Sequence, residues 1–305
     1  MQWRLTAILM LVAPLRTLGT SSATFTIHGG RILFGDSPVR IGGGVNAMHT
    51  FTLGKESDYA LLKEWNVGIV REFIGNLREN PLAGQWATCT SNGQWLWPLQ
   101  AIVDLNRANN LVTILCPFGW VDEEATWTLF SGKFPTDQAF YSAYKVHMQA
   151  LAEQFKNQTD VWVEIWNEPY PWDNSGGYTD DTWLADTVDM VENLRNVSGF
   201  DNIIVVQGNG QGQLEDAILN KGGDLLALHR NILFDLHGYE KWMIGASSTL
   251  DSQCAHFGPK SSRVCDLIWR VWGHQRKRAD ERFHRLPRSH VCWRHSDARM
   301  ALEVR

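Results

Sequence analysis

The feature that most constrains the fold of this 305-residue chain is a repeated alternation of short apolar runs with amphipathic segments. The apolar runs predict strands over 39–46, 68–73, 111–116, 161–166, 202–206 and 232–236. The segments between them predict helices over 58–65, 97–109, 137–157, 182–196 and 214–226. Apolar strands that alternate with helices favour a parallel sheet with right-handed crossovers. Six units in this rhythm predict an α/β fold of the (β/α)8 TIM barrel type, incomplete because its last two strands are lost.

Two further observations bear on the architecture. Residues 24–28 and 31–34 flank Gly29-Gly30 and predict a β-hairpin that could plug the amino-terminal mouth of a barrel. The glycines at 42–44 are not followed by a helix with phosphate-binding spacing, so a nucleotide-binding fold is disfavoured.

The amino terminus predicts a secretory signal over residues 1–23. Arg4 precedes an apolar stretch over 5–15, and small residues follow up to Ala23, where cleavage is expected. The stretch is too short to be retained as a membrane span. We therefore predict a secreted, extracellular or periplasmic protein that acts as a monomer and has no membrane partner.

Composition narrows the partners. The net charge of −5 and the pI of about 6.1 make nucleic acid an unsuitable partner. The 15 tryptophans offer flat apolar faces that suit sugar rings, although many are expected to be core residues. The five cysteines form no CxxC pair and show no metal-ligand spacing, so we predict no metal and no cofactor. One disulfide between Cys254 and Cys265 is an alternative that the sequence leaves undecided.

The strand predicted over 161–166 ends at Asn167-Glu168-Pro169. Pro169 cannot donate to a strand ladder, so Glu168 is expected at the carboxyl end of a buried strand. Catalytic groups gather at that end in a parallel barrel. A carboxylic acid packed against apolar rings has a raised pKa and can donate a proton near neutral pH. The alternative is a strand-end Glu that is merely solvated.

Polar residues also stand at the predicted carboxyl ends of other strands, and one barrel face would collect them. They are Asn46, Arg71, Gln207, Asn209, His237 and Tyr239.

Arg71, the Trp166-Asn167-Glu168-Pro169 segment and the His237-Gly238-Tyr239 segment together resemble glycoside hydrolase family 5, the cellulase-like retaining barrel glycosidases.

The resemblance implies that Glu168 is the general acid/base and that Asn167 binds the sugar 2-hydroxyl. It also implies that Arg71, His237 and Tyr239 orient a second carboxylate and line the cleavage subsite. A retaining glycosidase uses two carboxyl groups about 5 Å apart. The implied substrate is a β-linked polysaccharide or oligosaccharide, of β-1,4-glucan or mannan type.

Three tryptophans that follow predicted strands are candidate sugar-stacking platforms: Trp97, Trp120 and Trp172. The chain departs from the family after the third strand, where residues 114–120 contain no His. Substrate contacts there are expected to differ.

The nucleophile that the family places on the seventh strand is not found in the sequence. Residues 269–305 instead form a basic tail with ten Lys and Arg against four Asp and Glu, while 24–268 form the predicted barrel domain. Glu240 is the nearest substitute in sequence, but it follows the sixth strand and is disfavoured. A basic tail that binds an acidic partner is one alternative.

A change of reading frame explains the tail better. Residues 269–272 can be encoded as TGG CGA GTT TGG G, which one base later reads Gly-Glu-Phe-Gly, the usual seventh-strand motif. Residues 298–305 can likewise encode Pro-Val-Trp-Arg-Trp-Lys-Tyr, which resembles the Trp-bearing eighth strand. We therefore expect an out-of-frame tail and little or no activity in this chain. The other alternative is a non-catalytic carbohydrate-binding barrel.

Overall fold

The computed structural model of the protein describes residues 23–39, 41 and 43–237. The strands are β1 (Phe25–His28), β2 (Arg31–Phe34), β3 (Ser37–Pro38), β4 (Gly43–Ala47), β5 (Val67–Ile74), β6 (Thr88–Cys89), β7 (Trp95–Leu96), β8 (Val112–Pro117), β9 (Gly119–Val121), β10 (Trp127–Leu129), β11 (Val161–Glu164), β12 (Ile204–Gln207) and β13 (Ile232–Asp235). The helical segments are α1 (Glu56–Glu64), α2 (Leu99–Ala108), α3 (Tyr141–Phe155), α4 (Asp180–Arg195), the short turn α5 (Asn209–Gly212) and α6 (Asp216–Leu228).

The centre of the fold is a six-stranded parallel sheet in the order β4-β5-β8-β11-β12-β13. Neighbours in space follow each other along the chain, and a helix lies between the two strands of every neighbouring pair, as in a partial (β/α)8 barrel. The predicted fold class is thus confirmed. The predicted loss of strands seven and eight, the tail over 269–305 and the Cys254–Cys265 alternative lie outside the described residues. Among the described helices, none is both long and apolar enough to cross a bilayer.

The element boundaries differ from the predictions where local chemistry intervenes. Helix α2 begins at Leu99 rather than at 97 because Pro98, with φ −60° and ψ 138°, is its extended N-cap. Helix α3 begins at Tyr141 rather than at 137 because residues 135–141 form turns, with Tyr141 N–H donating to the Gln138 carbonyl at 2.8 Å.

The amino-terminal hairpin lies at the amino ends of the barrel strands, as predicted. The backbone N–H of Phe25 donates to Thr159 Oγ1 at 3.1 Å, and that of Ile27 donates to Asn231 Oδ1 at 2.9 Å. Thr159 lies two residues before β11, and Asn231 directly precedes β13. Phe25 also meets the Trp162 ring edge-on, so the hairpin closes the bottom of the barrel interior.

Side chains alternate between the two faces of the curled sheet, as the period of two requires. The face toward the helices carries the main core, which includes Leu115, Val161, Val163, Ile204, Val206, Ile232 and Phe234. The interior first carries an apolar layer of Ile69, Ile114, Trp162, Val205 and Leu233. Two residues further along each strand lies a buried polar layer: Arg71, Cys116, Glu164, Gln207 and Asp235.

Candidate active site

Arg71 stands at the centre of the polar layer and is 2% exposed. Its guanidinium donates to Glu164 through Nε at 2.6 Å and through Nη2 at 2.7 Å, a two-point pair. Nη2 also donates to Asn167 Oδ1 at 2.8 Å and approaches Cys116 Sγ at 3.0 Å. Nη1 reaches Asn46 Oδ1 at 3.4 Å. Arg71 therefore ties together the first four strands of the barrel at their carboxyl ends.

Glu164 is a site residue that motif-based reasoning missed. It is 0% exposed, and both of its oxygens accept hydrogen bonds from Arg71. The signal that could have found it is parity: Glu164 follows the inward Trp162 by two residues, so it also faces the barrel interior. The same parity identifies Gln207 and Asp235.

The Asn167–Tyr170 corner is backbone-strained. Glu168 and Tyr170 have φ of +52° and +66°, a left-handed conformation that side chains of this size rarely adopt. The corner is held by hydrogen bonds from two neighbouring loops: Gly132 N–H to the Glu168 carbonyl at 2.9 Å, and Gln211 N–H to the Pro169 carbonyl at 3.0 Å. These bonds keep the corner in a geometry that Glu168 would not adopt on its own.

The Glu168 carboxylate lies between two polar partners. Ser131 Oγ donates to Oε2 at 3.2 Å, and His237 Nδ1 lies 2.9 Å from Oε1. Asn167 Nδ2 donates to the same Ser131 Oγ at 3.3 Å, so the amide and the acid share one hydroxyl. The Glu168 side chain is 20% exposed, in contrast to the fully buried Glu164. It is thus fixed in direction yet open to a ligand.

His237 stands between two carboxylates. Its Nε2 lies 3.4 Å from Asp235 Oδ2, an ion-pair distance, while Nδ1 faces Glu168. Burial lowers the pKa of His237, but the hydrogen bonds and charges of Asp235 and Glu168 outweigh it and raise the pKa to about 9. Burial raises the pKa of Asp235, and His237 together with Arg71 brings it below its usual value. An ionised Glu168 and an ionised Asp235 thus both favour a proton on this imidazole.

Glu164, Asp235 and His237 also place one potential metal-ligand atom each within 4.8 Å of one another. Arg71 and Gln207 already donate to the two oxygens of Glu164, and a protonated imidazole does not ligate a metal. We interpret these three residues as part of an ion-pair network. The expected absence of a metal stays a prediction.

Comparison with known proteins fits this geometry. Residues 37–271 match the family model described as Cellulase (glycosyl hydrolase family 5). The chain belongs to glycosyl hydrolase family 5. It is therefore a glycoside hydrolase by family, as its strand-end residues indicated.

Solved structures share the fold at low sequence identity. A β-mannanase from Thermomonospora fusca is 19% identical with a TM-score of 0.57, over 81% of this chain and 72% of that one. The catalytic domain of a mannanase from Streptomyces sp. SirexAA-E is 18% identical with a TM-score of 0.56, over 87% and 74%. The catalytic domain of the Thermobifida fusca endoglucanase Cel5A (E5) is 16% identical with a TM-score of 0.51, over 81% and 72%. No curated protein matches the chain at a significant level.

The three tryptophans predicted as sugar platforms in this family 5 chain have different surroundings. Trp120 is 4% exposed, and its ring stacks on Phe140 at 5.7 Å, which removes it as a stacking platform because it lies in the core. Trp97 is half-buried against the core at the end of the loop after β5. Trp172 is 45% exposed and follows the Asn167–Tyr170 corner, so it stays a candidate. Tyr239 lies outside the described residues.

Two other tryptophans were not singled out by the sequence. Trp86 and Trp95 are 77% and 62% exposed, and both lie in the connection between β5 and α2, Trp95 on the short strand β7. That connection emerges at the carboxyl end of the strand that carries Arg71. Chain order could place both tryptophans in the connection but could not show that their rings are exposed.

Proposed function

We propose that the active form of this family 5 protein hydrolyses β-1,4-linked glycans, of mannan or glucan type, by a retaining double displacement with Glu168 as general acid/base. The observation that carries the proposal is the state of Glu168: strained backbone, carboxylate held by Ser131 and His237, and side chain 20% exposed. Preorganised geometry of this kind is what proton donation to a leaving oxygen requires.

The chemistry of the first step follows from these contacts. Glu168 gives its proton to the glycosidic oxygen and becomes a carboxylate. The Ser131 hydroxyl and the Nδ1–H of His237 both donate to that carboxylate and stabilise it as the glycosidic bond is cleaved. In the second step the carboxylate accepts a proton from the attacking water.

Asn167 and Arg71 supply substrate binding and electrostatics in this proposal. Asn167 Oδ1 is fixed by Arg71 and its Nδ2 by Ser131, so its amide has one orientation beside Glu168. We assign it to the sugar 2-hydroxyl. Arg71 is assigned to the orientation of the second carboxylate, whose position the described residues do not include.

Glu164 is a poor nucleophile candidate despite its position in the barrel. Its oxygens already accept hydrogen bonds from Arg71 and Gln207, and the side chain is fully buried. An attacking carboxylate needs a free oxygen directed at the anomeric carbon. We therefore keep the proposal that the nucleophile is encoded in the shifted frame. The family match ends at residue 271, inside the Trp269–Trp272 segment where the motif would be read.

Solved structures with the same fold support the proposed substrate class. One solved structure is a mannohexaose complex of the Thermomonospora fusca β-mannanase, and another neighbour is an endoglucanase. The exposed Trp86, Trp95 and Trp172 would provide stacking faces for sugar rings. We further propose that the protein is secreted and works as a monomer without a cofactor; the secretory signal predicted from the sequence and the family resemblance support this.

The proposal is tested by assaying two proteins side by side on β-1,4-mannan and β-1,4-glucan. One is the present chain, and the other restores the shifted frame from the seventh-strand motif onward. We expect turnover by the restored protein and little or none by the present chain. Binding of mannohexaose without hydrolysis by the restored protein would favour a non-catalytic barrel. Equal turnover by both would disprove the proposed location of the nucleophile.

A further inference from the structure

Gln207 at the end of β12 joins the separate parts of the site through one carboxamide. The residue is 0% exposed. Its Oε1 accepts the backbone N–H of Glu168 at 2.6 Å, and its Nε2 donates to Glu164 Oε1. The same Nε2 lies 3.0 Å from His237 Nε2. All three contacts end on residues that form or support the acid/base.

The orientation of this amide is determined by two of its contacts. A backbone N–H can only donate, so the atom facing Glu168 N must be the amide oxygen. A carboxylate oxygen accepts, so the atom facing Glu164 must be the amide nitrogen. Reversing the amide would lose both bonds. The nitrogen therefore also faces His237, and it presents an N–H to the ring.

The surrounding backbone is built around this side chain. Gly212 has φ +76°, and a Cβ at that position would lie 2.9 Å from Gln207 Oε1 and 3.3 Å from His237 Cγ. Trp183 Nε1 donates to the Gln207 carbonyl at 2.9 Å from the helix layer. The amide is thus held from both ends and has little freedom to turn.

We propose that Gln207 is a positioning residue for the acid/base: it fixes the strained Glu168 backbone and directs the lone pair of neutral His237 to Nε2, so that Nδ1–H faces the Glu168 carboxylate. The inference rests on the proposed role of Glu168. It assigns a role in the reaction to Gln207 at the end of β12, which acts through Glu168 and His237 and not through a contact with the leaving oxygen.

The groups around the imidazole shift the pKa of His237 in opposite directions. Asp235 Oδ2 at 3.4 Å and Glu168 Oε1 at 2.9 Å favour the cation, while the Arg71 charge opposes it. The N–H of Gln207 also opposes a proton on Nε2 because two donors would face each other. Removing that N–H should therefore make His237 easier to protonate, whereas removing the Asp235 charge should make it harder.

The test is nitrogen-15 NMR of the histidine rings in the full chain, followed across a pH titration without any substrate. His237→Gln identifies the His237 signals. In the parent chain we expect the neutral ring to carry its proton on Nδ1. In Gln207→Met the pKa of His237 should rise by roughly half a unit to one unit, the size of one hydrogen bond.

Asp235→Asn provides the second variant if Gln207→Met does not fold. It should lower the pKa of His237 and keep the proton of the neutral ring on Nδ1. A neutral ring protonated on Nε2 in the parent chain would overturn the proposal, as would an unchanged or lower pKa in folded Gln207→Met. Because no turnover is measured here, a frame-restored protein without turnover would count against the proposed hydrolase and leave this result intact.

Discussion

The Arg71–Glu164 pair gives the most quantitative prediction about this fold. The two side chains are 3% and 0% exposed, and two charge-assisted hydrogen bonds join them. Replacing Glu164 by Leu leaves the buried Arg71 cation with neutral hydrogen-bond partners and the charge of Asp235, and it also removes the carboxylate that accepts from Gln207 Nε2. Breaking a buried pair on one side costs about 3–5 kcal/mol. Two hydrogen bonds to charged groups at about 1.5–3 kcal/mol each give a similar figure.

The assay is urea-induced unfolding of the purified chain and of Glu164→Leu, with the free energy of unfolding extrapolated to water. A matched control is Glu123→Leu, which removes the acid of the Arg78–Glu123 pair. That acid is 91% exposed, so the loss should stay within about 1 kcal/mol. The contrast isolates burial as the cause.

A double variant, Arg71→Met with Glu164→Leu, completes the cycle. Because it removes both charges, it should cost less than the sum of the two single changes by at least roughly 2 kcal/mol. Additive losses, or a Glu164→Leu loss no larger than that of Glu123→Leu, would refute the view that this pair holds the polar layer together.

Two further predictions concern the rim of the barrel. If the exposed Trp95 ring stacks on sugar, Trp95→Ala should weaken binding of mannohexaose or cellohexaose by roughly tenfold in calorimetric titration. Trp65→Ala is the control and should leave binding unchanged, since Trp65 precedes the amino end of β5. Equal effects of the two substitutions would contradict the stacking role. Burial lowers the pKa of His49, and the hydrogen bond and charge of Glu72 outweigh it, so the net pKa is raised. The His49–Glu72 pair should therefore stabilise the fold below pH about 6.5 and lose its contribution as the pH rises through the higher pKa of the folded state. In Glu72→Gln the thermal unfolding temperature should depend less on pH. An unchanged dependence on pH would reject the assignment.

The barrel itself was predictable because each strand is a short apolar run and each helix has its own apolar period. The alternation of side chains along those strands also predicts which residues face the barrel interior. Trp162 and Glu164 differ by two residues and therefore face the same side. The family motifs selected Arg71 and Glu168, and position at a strand end selected Gln207, but Glu164 was passed over because it belongs to no familiar motif.

Other parts of the site depend on tertiary contacts that no local pattern encodes. Trp120 follows a strand, as a sugar-stacking residue would, yet Phe140, the N-cap residue of α3, covers its ring. The left-handed backbone of Glu168 is stabilised by Gly132 and Gln207, which lie 36 and 39 residues away in the chain. Such positions follow from the assembled barrel and not from the segment that contains Glu168.

The most direct test of the central claim is azide rescue of Glu168→Ala in the frame-restored protein. An aryl β-glycoside with a good leaving group lets the first step proceed without the acid, and azide then replaces water on the glycosyl-enzyme. We expect slow turnover that azide accelerates, with a β-glycosyl azide as the product. Turnover near that of the parent protein, or no azide adduct of retained configuration, would contradict the assignment of Glu168 as the acid/base.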